Sequence, residues 1–512
     1  MVSAWYNIYK MYMPLNRRIA NRVFFIVGLT ALFLGSRGIA RGDELQRAAQ
    51  NLQAKYADDL KQLAAWCEEK GLKEQARQTL AVLGPHDPVK YYVSILPDEV
   101  GPAKLPEGAS PDVIEWDTRL SRLRRDQAAA LNDLARRAVR SRHAGLALEL
   151  VLDAVRANPD DESVRRILGY QKFQNQWHTL YEVKKLHAGM VWHDKFGWLL
   201  KSQVRRYENG QRFYEGKWIS AAEDARLHGD IRSGWEIETE HYSIHTNHSI
   251  EAGVALGVKL EDLYRLWQQI FIRYFVSEAD VIALFDGRAR PQRTAATRHQ
   301  IVCFRDREDY DRSLRSAMPN IGISVGAYLD SMRIAYFFSG EGSDDRTLYH
   351  EATHQLFHES RKVSANVAAK ANFWIVEGIA MYMESLKKEN GYYVLGGFDD
   401  QRMVAARYRL LNDKFYVPLD ELTAYGREKM QNDPKIATLY SQSAGLTHFL
   451  VHYDHGRYLD ALVSYLTAVY TGQDDPDILS RLTGAGYSDL DKQYREFMEQ
   501  GGQQTEKTVD GR

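Results

Sequence analysis

Apolar positions in the first third of the chain follow the helical period. From Asp43 to about Leu83 few helix-breaking residues interrupt this pattern, until Gly84 and Pro85 end it. Part of the pattern returns 71 residues later, close to twice the 34-residue period of tetratricopeptide-type helical hairpins. The matching positions are Leu63, Ala64, Ala76 and Leu80, then Leu134, Ala135, Ala147 and Val151. We therefore predict a helical repeat-like region over residues 43–168, with plain helical hairpins as the alternative.

A second repeat is built around aromatic residues. Phe173–Glu182 returns 41 residues later as Tyr214–Glu223, and each copy places Asn or Gly at a tight turn between aromatic residues. Thr179 in one copy and Ser220 in the other precede a Glu by three positions, which is the capping box that begins a helix. We predict small hairpin and helix modules with paired Trp motifs over residues 169–232. The aromatic residues either pack the cores of the modules, which we favour, or form a peptide- or sugar-binding surface.

The remaining chain combines short apolar strands with helices. The predicted elements are paired strands over Trp235–Asn247, a helix over Ser249–Tyr274, strands at Val281–Phe285 and Ile301–Phe304, a helix over Arg305–Met318 and two strands within Ser324–Ser339. From Asp345 onwards the pattern is almost all helical. Strands followed by helices predict an α+β domain over residues 233–500, with a small sheet lobe leading into a helical lobe, and a disordered tail over residues 501–512.

The first 42 residues match a secretory signal peptide. The basic segment Asn16–Arg22 precedes an uncharged apolar run, Val23–Leu34, and small residues follow near Ala40. The run is short for a membrane-spanning helix. We therefore predict that the protein is exported, to the periplasm or the extracellular space. An uncleaved N-terminal anchor is the alternative, and only that anchor would hold the protein at a membrane.

Composition and charge exclude several classes of partner and site. The chain has 67 Lys and Arg against 68 Asp and Glu, and without a basic excess nucleic acid is not an expected partner. Apolar residues at 44% and charged residues at 26% exclude a largely disordered chain. The two cysteines, Cys67 and Cys303, exclude both a disulfide framework and a thiolate zinc site.

One predicted helix carries the residues with candidate chemistry. Within Thr347–Glu359, His350 and His354 are four positions apart, so both imidazoles project from one helix face within reach of a single ion. Glu351 follows the first of them and can lean over a metal-bound water without binding the metal. This is the His-Glu-x-x-His arrangement of zinc peptidases.

A catalytic zinc site needs a third protein ligand and an open position for water. Glu377 comes 23 positions after His354, on a second predicted helix that a loop allows to fold back. The neighbouring Gly378 is expected to permit close approach to the first helix. His358 and Glu359 are the other candidates, but they share a helix with the first two ligands, and a straight helix cannot wrap three ligands around one ion. We therefore expect His358 to be a packed or hydrogen-bonded histidine.

The two helices resemble those of the gluzincin group of zinc metallopeptidases, in the peptidase MA-like superfamily, as found in secreted bacterial proteins with an N-terminal helical region. The hallmarks are His-Glu-x-x-His, the stretch Trp-x-x-Glu-Gly-x-Ala-x-Tyr at Trp374–Tyr382, and a Tyr-x-Gln-Ser element at Tyr440–Ser443. The resemblance spans about Trp235–Met498. It implies a zincin-like fold and one Zn²⁺ per chain on His350, His354 and Glu377.

The resemblance also implies a reaction. Glu351 would act as general base toward a zinc-activated water, and Tyr440 or His448 would stabilise the oxyanion while a peptide or protein substrate is hydrolysed. Many gluzincins place an Asp four residues after the third ligand to orient the first His. Met381 stands at that position here, so another acceptor is required. The strand Arg333–Phe338 is either a sheet edge that pairs with an extended substrate or a core strand.

A noncatalytic protein is the competing hypothesis. In that case the chain would be a secreted scaffold with a peptidase-like fold, and its N-terminal helical region would bind a protein partner. The two hypotheses differ in whether the purified protein contains zinc and hydrolyses peptide bonds.

Overall fold

Helices and small sheets alternate along the part of the chain that the computed structural model describes, which is residues 35–85, 87–96, 105, 107–141, 143–286, 298–316, 318 and 325–509. This mixture confirms the predicted α+β class. The run Val23–Leu34, on which the predicted signal peptide or anchor depends, lies outside the described residues. Within them, no helix has the length and apolar character that crossing a membrane requires.

The N-terminal region is helical, as the apolar pattern predicts. Its helices are α1 (Gly35–Glu69), α2 (Lys73–Ala81), α3 (Pro111–Arg140), α4 (Ala144–Ala157) and α5 (Glu162–Ile167). The helices α2 and α4 close two hairpins and begin 71 residues apart, which is the separation of the sequence repeat. Gly71 makes the turn before α2 with a φ of +74°, a conformation that other residues rarely adopt. One strand, β1 (Lys90–Ser94), leaves this region and joins a sheet of the C-terminal domain.

Residues 170–227 form three modules, each a β-hairpin followed by a short helix. They are β2 (Tyr170–Phe173), β3 (Gln176–Thr179) and α6 (Leu180–His187); β4 (Met190–His193), β5 (Gly197–Leu200) and α7 (Val204–Glu208); and β6 (Gln211–Tyr214), β7 (Lys217–Ser220) and α8 (Ala221–Leu227). The sequence repeat identifies the first and the third. The second was missed because its hairpin turn has three residues, at positions 194–196, where the other two turns have two.

A five-stranded sheet opens the C-terminal domain. Its elements are β8 (Trp235–Glu238), β9 (Tyr242–Thr246), α9 (Ile250–Phe275), α10 (Glu278–Phe285), β10 (His299–Phe304), α11 (Arg307–Leu314), β11 (Ala327–Leu329) and β12 (Ile334–Phe338). The strand order is β11-β12-β10-β9-β8, with β10 parallel to both of its neighbours and the outer pairs antiparallel. The segment Arg333–Phe338 therefore contains a central strand, and among the described strands β11 and β8 are the two edges.

The strand predicted at Val281–Phe285 is wrong, because this segment is the end of α10. Ser277 and Asp280 form a reciprocal capping box that begins the helix. An apolar run of five residues is too short for its period to distinguish a strand from a helix. Only the capping residues before the run indicate that it is helical.

Helices dominate the rest of the chain. They are α12 (Asp345–Glu359), α13 (Phe373–Met383), α14 (Gln401–Leu411), α15 (Leu419–Leu422), α16 (Arg427–Gln431), α17 (Ile436–Gly456), α18 (Leu459–Thr471), α19 (Ile478–Thr483) and α20 (Tyr487–Val509). The sequence does not predict the hairpin of β13 (Lys387–Glu389) and β14 (Tyr392–Gly396), which pairs with β1. It also predicts a disordered tail from residue 501, whereas α20 continues to Val509 through Gln, Glu and Lys, which favour helix.

The core of the C-terminal domain surrounds α13. Every one of its eleven residues except Glu377 is buried. A Cβ added at Gly378 would lie 2.9 Å from the carbonyl oxygen of Ser443 in α17, so only glycine permits this helix contact. The small residue therefore serves the packing of α13 on α17, and not the approach to α12 that the sequence predicts.

Candidate metal centre

Two helices carry the candidate metal ligands. Asp344 caps α12 by accepting a hydrogen bond at 2.6 Å from the backbone N–H three residues on. One side of α12 is buried in the core through Leu348 and Leu356. From the opposite side, His350 and His354 reach toward α13.

The three predicted ligands come together. The Nε2 atoms of His350 and His354 are 3.1 Å apart, and the Glu377 Oε2 atom lies 3.6 Å from the first and 3.9 Å from the second. Two ligand atoms about 2.05 Å from a tetrahedral zinc ion would be about 3.3 Å from each other. The donor set of two imidazoles and one carboxylate, with this spacing, therefore fits zinc.

Glu351 lies between the metal ligands and the edge of the sheet. Its Oε2 atom accepts a hydrogen bond at 2.9 Å from the backbone N–H of Tyr328 in β11. Burial raises the pKa of Glu351 above its usual value, and the nearby charge of His350 opposes this only in part. A carboxyl group with a raised pKa suits the reversible transfer of a proton near neutral pH.

A carboxylate that the sequence analysis missed orients the first ligand. Glu384 accepts a hydrogen bond at 2.9 Å from Nδ1 of His350, which leaves Nε2 free for a metal. Arg402 binds Glu384 with two hydrogen bonds, at 2.8 and 2.7 Å, and Arg346 adds a third at 3.2 Å. Glu384 follows the third ligand by seven residues, two helical turns, and so replaces the acceptor that Met381 cannot provide.

The two histidine ligands differ widely in pKa. Burial lowers the pKa of His350, but hydrogen bonds to Glu377 and Glu384 outweigh it and raise this pKa to about 10. Burial lowers the pKa of His354 to about 3, although the charge of Glu377 opposes it. A metal ion needs neutral imidazoles, so binding at this site would displace a proton from His350.

The two candidate oxyanion donors lie in different places. Tyr440 in α17 is half-buried, and burial together with the charges of Glu377 and Glu351 raises its pKa. His448 follows by eight residues, about 12 Å along the helix. It is fully buried, its ring packs against Tyr382 at 4.8 Å, and its Nδ1–H donates to a backbone carbonyl at 2.9 Å. The contacts of His448 are therefore with the core around Tyr382, and its role as an oxyanion donor stays a prediction.

The two rejected ligands have other partners. The ring of His358 packs against Tyr328 and Tyr470, with centroids 5.7 and 5.3 Å away. Glu359 accepts hydrogen bonds from Nδ1 of His299 at 2.8 Å and from the Tyr328 hydroxyl at 3.1 Å. Neither residue joins the three ligands in the cluster.

Comparison with known proteins adds a family without an assigned activity. A family described as a protein of unknown function (DUF1570) matches residues 345–471. The match begins with α12 and ends with α18, so it contains the three ligands, Glu351, Glu384 and Tyr440. No curated protein matches the chain.

Proposed function

We propose that the protein is a zinc-dependent metallopeptidase of the gluzincin type that acts on peptides or proteins outside the cytoplasm. The convergence of His350, His354 and Glu377 carries this proposal. A structural zinc site closes all four positions with protein ligands, whereas a catalytic site keeps one open. Among the described residues no fourth ligand completes the cluster, and Glu351, a carboxyl group that is not one of the three ligands, accepts a hydrogen bond from the nearby edge strand.

The chain's own residues support the steps of hydrolysis. Zinc held by the three ligands would supply Lewis acidity toward a water molecule and a peptide carbonyl. Glu351 accepts the proton of that water and returns it to the leaving amine. Glu384 keeps the His350 ring in one orientation and one tautomer. Tyr440, whose raised pKa keeps its hydroxyl protonated, donates a hydrogen bond to the carbonyl oxygen as negative charge develops.

The edge strand β11 offers the substrate a place beside these residues. In an antiparallel strand the N–H and C=O of one residue point to the same side. The Tyr328 N–H points to Glu351, so the unpaired side of β11 faces the cluster. An extended peptide that pairs with this side would bring its backbone to Glu351. In this proposal β8–β12 form the sheet lobe of a zincin-like domain, and the N-terminal helices are tetratricopeptide-like.

Zinc content and hydrolysis of an unstructured protein test the proposal together. The wild-type protein should bind one zinc per chain and cleave the substrate. Glu351→Gln should keep the zinc and lower turnover by about 10²- to 10⁴-fold, because Gln cannot accept a proton. Glu389→Gln, an exposed Glu in β13, is the control and should leave both unchanged. Unchanged turnover in Glu351→Gln would remove this residue from the mechanism, and zinc without any hydrolysis would favour the noncatalytic scaffold.

A further inference from the structure

An arginine outside the sequence motifs lies beside the third ligand. Arg427 begins α16, and its guanidinium is 5.3 Å from the centre of the Phe373 ring. Phe373 precedes Glu377 by four residues, so the two share one face of α13. The Nη2 atom of Arg427 also donates to the carbonyl oxygen of Val367 at 3.4 Å. These contacts hold the cation beside a residue that lies one helical turn before Glu377.

The charge of Arg427 reaches the groups of the site. Burial raises the pKa of Glu377, but the hydrogen bond with His350 and the charges of His354, His350 and Arg427 together lower it. Arg427 also opposes the rise in the pKa of Tyr440 that burial causes. The guanidinium is therefore close enough for its charge to reach the site, which agrees with its contact with Phe373 on the Glu377 face of α13.

Arg427 lacks the counter-ion that its neighbours have. Arg402 lies 2.7 Å from a carboxylate oxygen of Glu384. Arg346 lies 3.2 Å from Glu384 and 3.1 Å from Asp400. Within the described part of the chain, no carboxylate lies within 4.0 Å of the Arg427 guanidinium. A half-buried charge without a counter-ion is costly, unless an anion from outside the chain neutralises it.

We propose that Arg427 binds a carboxylate of the substrate, next to the bond that is cleaved. The proposal rests on the proposed function and deepens it by naming a substrate class. A guanidinium presents a planar fork of donors that matches a carboxylate, and such charge-assisted pairs are strong and directional. The carboxylate is either the C-terminal group of a peptide or the side chain of an Asp or Glu residue.

Binding measurements separate these sources without turnover. Zinc-loaded Glu351→Gln protein is titrated with one peptide sequence in three forms: a free C-terminal acid, a C-terminal amide, and the amide with one Asp added. The acid or the Asp form should bind about 10- to 100-fold more tightly than the plain amide, as for a hydrogen-bonded charge pair. A preference for the acid identifies the chain terminus, and a preference for the Asp form identifies an acidic side chain.

The second variant links that preference to Arg427. Adding Arg427→Gln should abolish the preference while zinc content stays the same. Lys429→Gln, an exposed cation of the same helix that lies over the Tyr425 ring at 3.6 Å, should keep it. Equal affinities for all three peptides before this change, or an unchanged preference after it, would overturn the inference. Failure of the proposed function appears elsewhere, as absence of zinc or hydrolysis in the wild-type protein.

Discussion

Polar and aromatic groups are buried in opposite ways in two regions of the molecule. One region is the metal helices, α12 and α13, and the other is the three hairpin modules. Four Trp residues, in the modules and in the strand that follows them, contact the helix that precedes them in the chain. The Trp177 ring lies 5.4 Å from the guanidinium of Arg165 in α5, and Nε1 of Trp235, in β8, donates to Asp224 of α8 at 2.8 Å. Of the three Trp residues between them, Trp198 and Trp218 have rings 6.2 and 6.0 Å from tyrosine rings of α6 and α7. Modules and C-terminal domain thus form one continuous stack.

The metal helices leave their polar groups directed at one another. His350, His354 and Glu377 are largely buried and converge on one point at which the described chain offers no further ligand. Such an arrangement costs free energy of folding unless something outside the chain completes it. The modules use polar atoms to finish their own packing, and this difference supports the proposal that α12 and α13 carry the function. It also supports core packing, not ligand binding, as the main role of the module tryptophans.

The largest expected effect concerns the third ligand. Glu377→Ala should weaken zinc binding by orders of magnitude, because two His residues on one helix cannot complete a catalytic site. His358→Ala should change it little, because His358 packs against aromatic rings. Competition with a chromophoric chelator measures both affinities, and circular dichroism checks that each variant keeps the fold. Strong zinc loss in His358→Ala with none in Glu377→Ala would reverse the assignment of the site.

The next effect tests the modules as packing units. Trp177 is 1% exposed, so Trp177→Ala should cost about 3–5 kcal/mol of local stability, as large core truncations do. Trp192 is 36% exposed and is the matched control, whose substitution by Ala should cost far less. Amide hydrogen exchange over residues 170–227 measures the local opening. Equal loss of protection in the two variants would mean that burial in the stack does not decide stability.

Local patterns predicted the site better than they predicted its supports. The four-residue spacing placed His350 and His354 on one helix face. The need for a third ligand from another helix then pointed to Glu377. The acceptor for His350 was sought four residues after the third ligand, while Glu384 lies one turn further on the same face. A search over seven residues would have found it. No local pattern marks Arg427, because α16 reaches the cluster only through tertiary packing.

The fold shows the same limit. Helices with a full apolar stripe, such as α9, were predicted nearly to their ends, and so was the α+β class. The pairing of β1 with β14 joins positions about three hundred residues apart, from Lys90 to Gly396, and β1 has no partner close in the sequence that would reveal it. The middle module was missed because one extra turn residue breaks the repeat spacing. Contacts between distant segments are set by packing, which periodicity does not record.

A smaller effect tests the support of the first ligand. Glu384→Gln should weaken zinc binding or activity by about 10- to 100-fold, as the loss of outer hydrogen-bonded partners does at zinc sites. Gln can still accept the hydrogen bond from Nδ1–H of His350, but it lacks the negative charge that Arg402 and Arg346 hold in place. Zinc affinity measured across pH separates positioning from folding, because a lost anion changes how readily His350 gives up its proton. If the pH dependence of zinc affinity stayed the same while thermal stability fell, Glu384 would have a structural role only.

The smallest expected effect concerns how each module begins its helix. Thr179 accepts a hydrogen bond from the Glu182 N–H, and the Glu182 side chain accepts one from the Thr179 N–H, so the capping box of α6 is complete. At the start of α8 only the Ser220 hydroxyl makes its bond, and the side chain of Glu223 does not return one. Glu182→Ala should therefore increase hydrogen exchange in the first turn of α6 more than Glu223→Ala does in α8.

Thr179→Ala should lower the stability of the module by about 1 kcal/mol, the usual contribution of such a cap. Because the modules are held mainly by their Trp contacts, none of these substitutions should affect the metal helices. A fall in zinc affinity in any of these variants would show that the modules and the metal site are coupled.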